Sequence, residues 1–172
     1  YVVTSSDKDE PKLSKAATRK TERLTNTAAT ESSPRFSPDG KKLAYVSGRQ
    51  TLVVSDADGT NPKTITIGHE ISYISWSPDS RWLAYTSNES GRTQVYVQPF
   101  APGWRQPITG KWQISTSGGF TPRWRDDGKE LFYIAPDGKL MAVPIQDSAT
   151  TLEFGAPATL FQTRIVRHPI PQ

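Results

Sequence analysis

The chain has 172 residues, enough for one ordinary globular domain, and no cysteine, which excludes a disulfide framework and a thiolate metal site. Its formal charge of +4 comes from Lys and Arg interspersed with acids, so no basic block demands nucleic acid. No apolar stretch reaches the length of a membrane span, and the first residues lack the basic-then-apolar order of a signal peptide.

Fourteen Pro and twelve Gly in short clusters break helices repeatedly, while five Trp, six Tyr and six Phe favour strands. An opening of Tyr1-Val2-Val3-Thr4 without an initiating Met is expected of a chain cut from a longer parent. Strands are expected over residues 1–4, 13–16 and 21–25, the later strands of a sheet whose first strand is missing. Next comes Ser33-Pro34-Arg35-Phe36-Ser37-Pro38-Asp39-Gly40-Lys41-Lys42-Leu43-Ala44-Tyr45, and its pattern returns as Tyr73-Ile74-Ser75-Trp76-Ser77-Pro78-Asp79-Ser80-Arg81-Trp82-Leu83-Ala84-Tyr85. A third copy runs Thr121-Pro122-Arg123-Trp124-Arg125-Asp126-Asp127-Gly128-Lys129-Glu130-Leu131-Phe132-Tyr133.

Each repeated position has a physical reason. Phe36, Trp76 and Trp124 plug the end of one strand into a core. In Ser37-Pro38-Asp39-Gly40 the Pro presets φ, the Ser hydroxyl can accept a backbone N–H, and Gly closes a type I turn into the antiparallel neighbour. Leu43-Ala44-Tyr45-Val46 and its copies are almost continuously apolar, as expected of a strand covered on both faces. Two more strands follow each copy: residues 51–55 and 63–67, then 93–98 and 112–116, then 139–145 and 158–162. Four-stranded meanders recurring at blade-sized intervals stack radially, so the expected fold is an all-β propeller of four-stranded antiparallel blades. A β-sandwich has no reason to repeat the same set. About four blades are expected, the first incomplete, possible as part of a larger propeller: residues 1–32, 33–68, 69–117 and 118–163, with 164–172 a tail or the start of another blade.

An aromatic residue, Ser-Pro-Asp-Gly and Leu-Ala-Tyr in succession resemble the WD40-like repeat of TolB-type propellers, over most of residues 33–162. The second half is similar to the C-terminal propeller region of bacterial serine/threonine kinases, through Tyr85-Thr86-Ser87-Asn88-Glu89-Ser90-Gly91-Arg92, Val95-Tyr96-Val97-Gln98-Pro99-Phe100, Lys111-Trp112-Gln113-Ile114-Ser115-Thr116 and Pro122-Arg123-Trp124-Arg125. The resemblance implies an extracytoplasmic, periplasmic module of a larger bacterial protein, whose parent can be membrane-anchored. Its implied role is the non-catalytic binding of a protein, peptide or cell-envelope ligand. The alternative is an accessory or gating propeller of a peptidase or other hydrolase, with the catalytic domain elsewhere. A propeller lyase would need several metal-binding histidines, and only His69 and His168 are present.

Within the repeat, Asp39, Asp79 and Asp127 read as turn formers. The places where the copies differ are the functional candidates. Trp104 and Arg105, in the long connection 99–110, have the composition of an interface anchor, unless Trp104 folds back as a lid on the outer strand. Arg92, His69 and Glu70 fall on loops of the opposite face and are further partner-binding candidates. Arg35 and Arg123 occupy matching positions on innermost strands and are candidates to line the channel and bind an anion there. Asp56-Ala57-Asp58-Gly59 resembles part of a calcium loop but lacks the distal ligands, and a hairpin turn explains it. The chain holds no nucleophile elbow, phosphate loop or kinase catalytic loop. No cofactor and no metal are expected.

Overall fold

A computed structural model describes residues 23–67, 69–100, 110–147 and 152–164. Every regular element among them is a β-strand. Strands β1 (Glu31–Phe36), β2 (Lys42–Ser47), β3 (Thr51–Asp56) and β4 (Lys63–Ile67) form one antiparallel meander. A second follows with β5 (Ile71–Trp76), β6 (Trp82–Ser87), β7 (Gln94–Pro99) and β8 (Trp112–Gln113). The third holds β9 (Phe120–Trp124), β10 (Glu130–Ile134), β11 (Lys139–Asp147), β12 (Leu152–Phe154) and β13 (Ala158–Gln162). These sheets are propeller blades. The first strands, β1, β5 and β9, lie side by side and carry much of the contact between sheets, so the sheets converge there and fan outward.

Three expectations change. The third sheet has five strands, because the long β11 pairs with β12 through residues 145–147 and with β13 through residues 139–142. The outer strand expected over residues 112–116 shrinks to Trp112–Gln113. After one further backbone bond, from Ile114 N–H to the Val95 carbonyl (2.8 Å), the ladder gives way to side chains: the Ser115 hydroxyl accepts the Val95 N–H (2.9 Å) and donates to Gln94 Oε1, which also accepts the Gly118 N–H (2.9 Å). Of the strands expected ahead of the first sheet, residues 1–4 and 13–16 lie outside the described residues, and residues 23–25 are not in a strand.

The repeated turn forms as its sequence dictates. Ser37 Oγ donates to Asp39 Oδ1 (2.6 Å) and accepts the Lys42 N–H (2.9 Å), while Gly40 N–H closes onto the Ser37 carbonyl (2.9 Å). Ser77, Asp79 and Trp82 repeat these bonds. In the third copy Arg125 replaces the serine, and its guanidinium pairs with Asp127 and Glu130. These contacts hold the Asp127 carboxyl well below the usual range, with the Arg125 hydrogen bond the largest cause. All three aspartates therefore serve the scaffold.

The two seams between sheets are the core. Ala44, Val46, Leu52 and Val54 of the first sheet meet Leu83, Tyr85 and Tyr96 of the second. Trp82, Ala84, Val95 and Val97, on the other face of the second sheet, meet Leu131, Tyr133, Val143 and Ile145 of the third. Each buried Val, Leu or Ile among them contributes roughly 1.5–3 kcal/mol relative to exposure. Side-chain burial across the seams is therefore what holds the sheets to one another. The far face of the third sheet is less covered: Phe132 and Ile134 are half-buried where Ala44, Ala84, Val46 and Thr86 are buried, and Phe161 is 57% exposed.

Candidate functional site

The converging edge of the fan is built by an unusual backbone. Each first strand carries a bulge, and at the same repeat position in each a residue other than glycine has positive φ: Ser33 (+54°), Tyr73 (+53°) and Thr121 (+49°). The left-handed region costs a side-chain-bearing residue about 1–2 kcal/mol, and β-branched Thr121 is the least suited of the three. A bulge of this kind re-aims the side chains beside it.

Two residues beyond each bulge stand Arg35, Ser75 and Arg123. Arg35 and Arg123 are exposed, while Ser75 on the central strand is buried. Each guanidinium donates to the carbonyl of the preceding proline, Arg35 to Pro34 (2.8 Å) and Arg123 to Pro122 (3.4 Å). Neither meets a carboxylate among the described residues. The one acid on these three strands is Glu31, and its carboxylate accepts hydrogen bonds from the Thr25 and Thr27 hydroxyls. The first strands thus carry two exposed guanidiniums that meet no carboxylate among the described residues. Trp76 Nε1 donates to the Arg35 carbonyl (3.0 Å), tying that arginine's backbone to the second sheet.

Tyr73, 46% exposed on its bulge, also belongs to this edge, and sequence reasoning missed it. The available signal was the difference between copies: a large aromatic stands where the other repeats have Ser33 and Thr121.

The other candidates are scattered. His69, Glu70 and Arg92 are exposed on the loop face away from the repeated turns. Glu70 pairs there with Arg49 (3.2 Å), and its N–H is received by Asn88 Oδ1 (3.0 Å), so its contacts join neighbouring loops. Asp58 Oδ1 accepts the Thr60 N–H (2.9 Å) and hydroxyl (2.7 Å), which makes the Asp56–Gly59 segment a self-contained hairpin turn. Trp104 and Arg105 lie outside the described residues.

The profile of the TolB beta propeller domain matches residues 1–154. Among curated proteins, the Tol-Pal system protein TolB of Methylococcus capsulatus is 40% identical over 76 residues, 40% of this chain and 18% of that protein. Its counterpart in Xanthomonas campestris is 38% identical over 76 residues, 40% of this chain and 17% of that protein. The chain thus matches less than a fifth of the length of these relatives. Among solved structures, TolB from Acinetobacter baumannii superposes with a TM-score of 0.57 at 21% identity, over 76% of this chain and 33% of that one. An oligogalacturonate lyase in complex with manganese gives 0.52 at 16% identity, over 72% of this chain and 35% of that one. At such identities the likeness shows the fold alone, and enzymes and non-enzymes share it. The family match, the repeated turn and the fan of antiparallel sheets agree: this chain belongs to the TolB β-propeller domain family.

Proposed function

We propose that the chain is a non-catalytic binding module of a larger extracytoplasmic bacterial protein, and that it captures a protein or peptide partner through acidic groups received by Arg35 and by Arg123. The observation that carries this reading is the recurrence of an exposed arginine at one repeat position on two first strands, with no carboxylate partner among the described residues. Guanidinium is suited to this work, because its planar fork matches a carboxylate in two hydrogen bonds. The names of the TolB relatives support a partner from a Tol-Pal type system, and the family resemblance supports a periplasmic setting. The likeness of residues 85–125 to kinase-linked propellers is compatible with a sensor role. Any kinase or peptidase chemistry of the parent then lies outside these residues.

The experiment is a calorimetric titration of the purified chain with the purified Pal component of such a system. Saturable binding that weakens as salt rises is the expected result. Binding that ignores salt, or no binding at all, counts against the arginine reading. Trp104 and Arg105 remain partner-binding candidates, and alanine there is expected to weaken capture while leaving the melting temperature nearly unchanged.

A further inference from the structure

In every sheet the Leu and Tyr of the repeat point to one face, and the residues beside them on the strand point to the other. Ala44 and Val46 on the first sheet thereby meet Leu83 and Tyr85, and Ala84 on the second meets Leu131 and Tyr133. The corresponding pair on the third sheet, Phe132 and Ile134, points away from the second seam, to a face that no other sheet covers among the described residues. Register extends this pair into a patch, because residues directly opposite on antiparallel strands share a face. Ile134 stands opposite Leu140, and Leu140 opposite Phe161. Phe132 stands opposite Ala142 on one side and Arg123 on the other. One open face thus carries an apolar patch with a guanidinium at its inner end. Arg123 is exposed and meets no carboxylate among the described residues, whereas nearby Arg125 is committed to Asp127 and Glu130. At the outer end Phe161 is 57% exposed, and its strand β13 carries no charge.

This face is not a copy of the closed ones. Where they present Ala44 and Ala84, it presents the ring of Phe132, and an added ring at a seam of the same spacing would overpack it. We propose that the open face of the third sheet docks an extended segment of a partner protein, one with a carboxylate at one end and apolar side chains at alternate positions after it. Arg123 receives the carboxylate, and Ile134, Leu140 and Phe161 cover the apolar side chains. Charge selects this occupant, since the guanidinium at the inner end calls for an anion and the patch beyond it is uncharged. The lengths agree as well. Three strand spacings of about 4.8 Å set β13 about 14 Å from β9, and an extended segment covers about 13 Å between its first and fifth residues. The proposal rests on the reading of Arg123 as a receiver of acidic groups, and it gives the partner its chemistry beyond that acid.

The test is a titration of the isotope-labelled chain with the acetylated, amidated hexapeptide DSLSLS and its uncharged counterpart NSLSLS, following the Ile134 and Leu140 methyl resonances and the Arg123 Nε–H. Saturable shifts of all three are expected, with DSLSLS bound about 2- to 5-fold more tightly. Arg123→Gln is expected to erase that preference. Phe161→Ser is expected to weaken both peptides about 3- to 10-fold, at a melting temperature within a few degrees of the parent because the ring is 57% exposed. No shifts, or unchanged affinity in Phe161→Ser, would overturn the proposal. Methyl shifts without a preference for the acid would overturn it by removing Arg123 from the site. A preference for the acid with unmoved methyls would overturn the apolar face and leave the arginine reading standing. A mass of two copies in sedimentation equilibrium, returned to one by Phe161→Ser, would also overturn it, since the occupant would then be a second copy of the chain.

Discussion

Trp76 Nε1 donates to the backbone carbonyl of Arg35 across the first seam, joining the core of the second sheet to the residue that presents a guanidinium at the inner edge. The same ring packs edge-on against Phe100, with centroids 5.3 Å apart. Trp76→Phe keeps an aromatic in place but leaves the Arg35 carbonyl without its donor. The expected loss is about 1–2 kcal/mol, measured by urea unfolding. A variant as stable as the parent would mean that water replaces the indole at no cost.

Ser80 holds φ at +62°, where the first and third copies of the turn use Gly40 (+71°) and Gly128 (+73°). Its backbone is strained, and its hydroxyl returns that cost by accepting the Asp39 N–H. Ser80→Ala keeps the strain and loses the bond, so it is expected to destabilise by about 1 kcal/mol. Ser80→Gly loses the bond but relieves the strain and is expected to be nearly neutral. Thermal melts of the two variants side by side separate these terms.

Gln94 and Ser115 replace a strand ladder with side chains, and both are buried. Ser115→Ala leaves the Val95 N–H and one Gln94 acceptor site unpaired, at a cost of about 1–3 kcal/mol. Hydrogen exchange at Val95 is expected to accelerate in the variant well beyond exchange at Val97, which lies inside the ladder. Equal acceleration at both would indicate general loosening instead.

The repeated turns predict an acid response. Hydrogen bonding from Ser37 is the largest cause holding the Asp39 carboxyl below 3.8. At Asp79 burial opposes ionisation, but hydrogen bonds from Ser77 and Arg81 outweigh it, and the carboxyl is again lowered. A depressed carboxyl stabilises the folded state fully above its unfolded value near 4, and that contribution is lost as pH falls through the folded value. The gap in melting temperature between the parent and the double variant Asp39→Asn/Asp79→Asn is therefore expected to be widest near neutrality and to narrow below about pH 4. A constant gap would show that these carboxylates contribute nothing through their charge.

The fold was legible because its signals are local. Ser37, Pro38, Asp39 and Gly40 specify a turn within four residues, and Leu43 to Val46 announce burial on both faces. The short β8 was not legible, because Gln94 and Ser115 stand 21 residues apart and their bond replaces what would read as a strand. β12 was hidden because the length of β11 lets one strand serve two partners. The bulges at Ser33, Tyr73 and Thr121 were invisible, since none carries the Gly or Asn that normally marks positive φ. Of the inner edge, the paired Arg35 and Arg123 stand out in the repeat alignment as a shared residue, and Tyr73 only as a difference, an aromatic where the other copies carry Ser33 and Thr121.

The charge reversal Arg35→Glu/Arg123→Glu tests the central claim most directly, with Pal affinity and melting temperature measured on the same preparation. Both side chains are exposed, so the melting temperature is expected to stay within a few degrees of the parent. Affinity is expected to fall at least about tenfold, with a matching loss of salt dependence. Unchanged affinity at unchanged stability would contradict the assignment of the inner-edge arginines as the binding site.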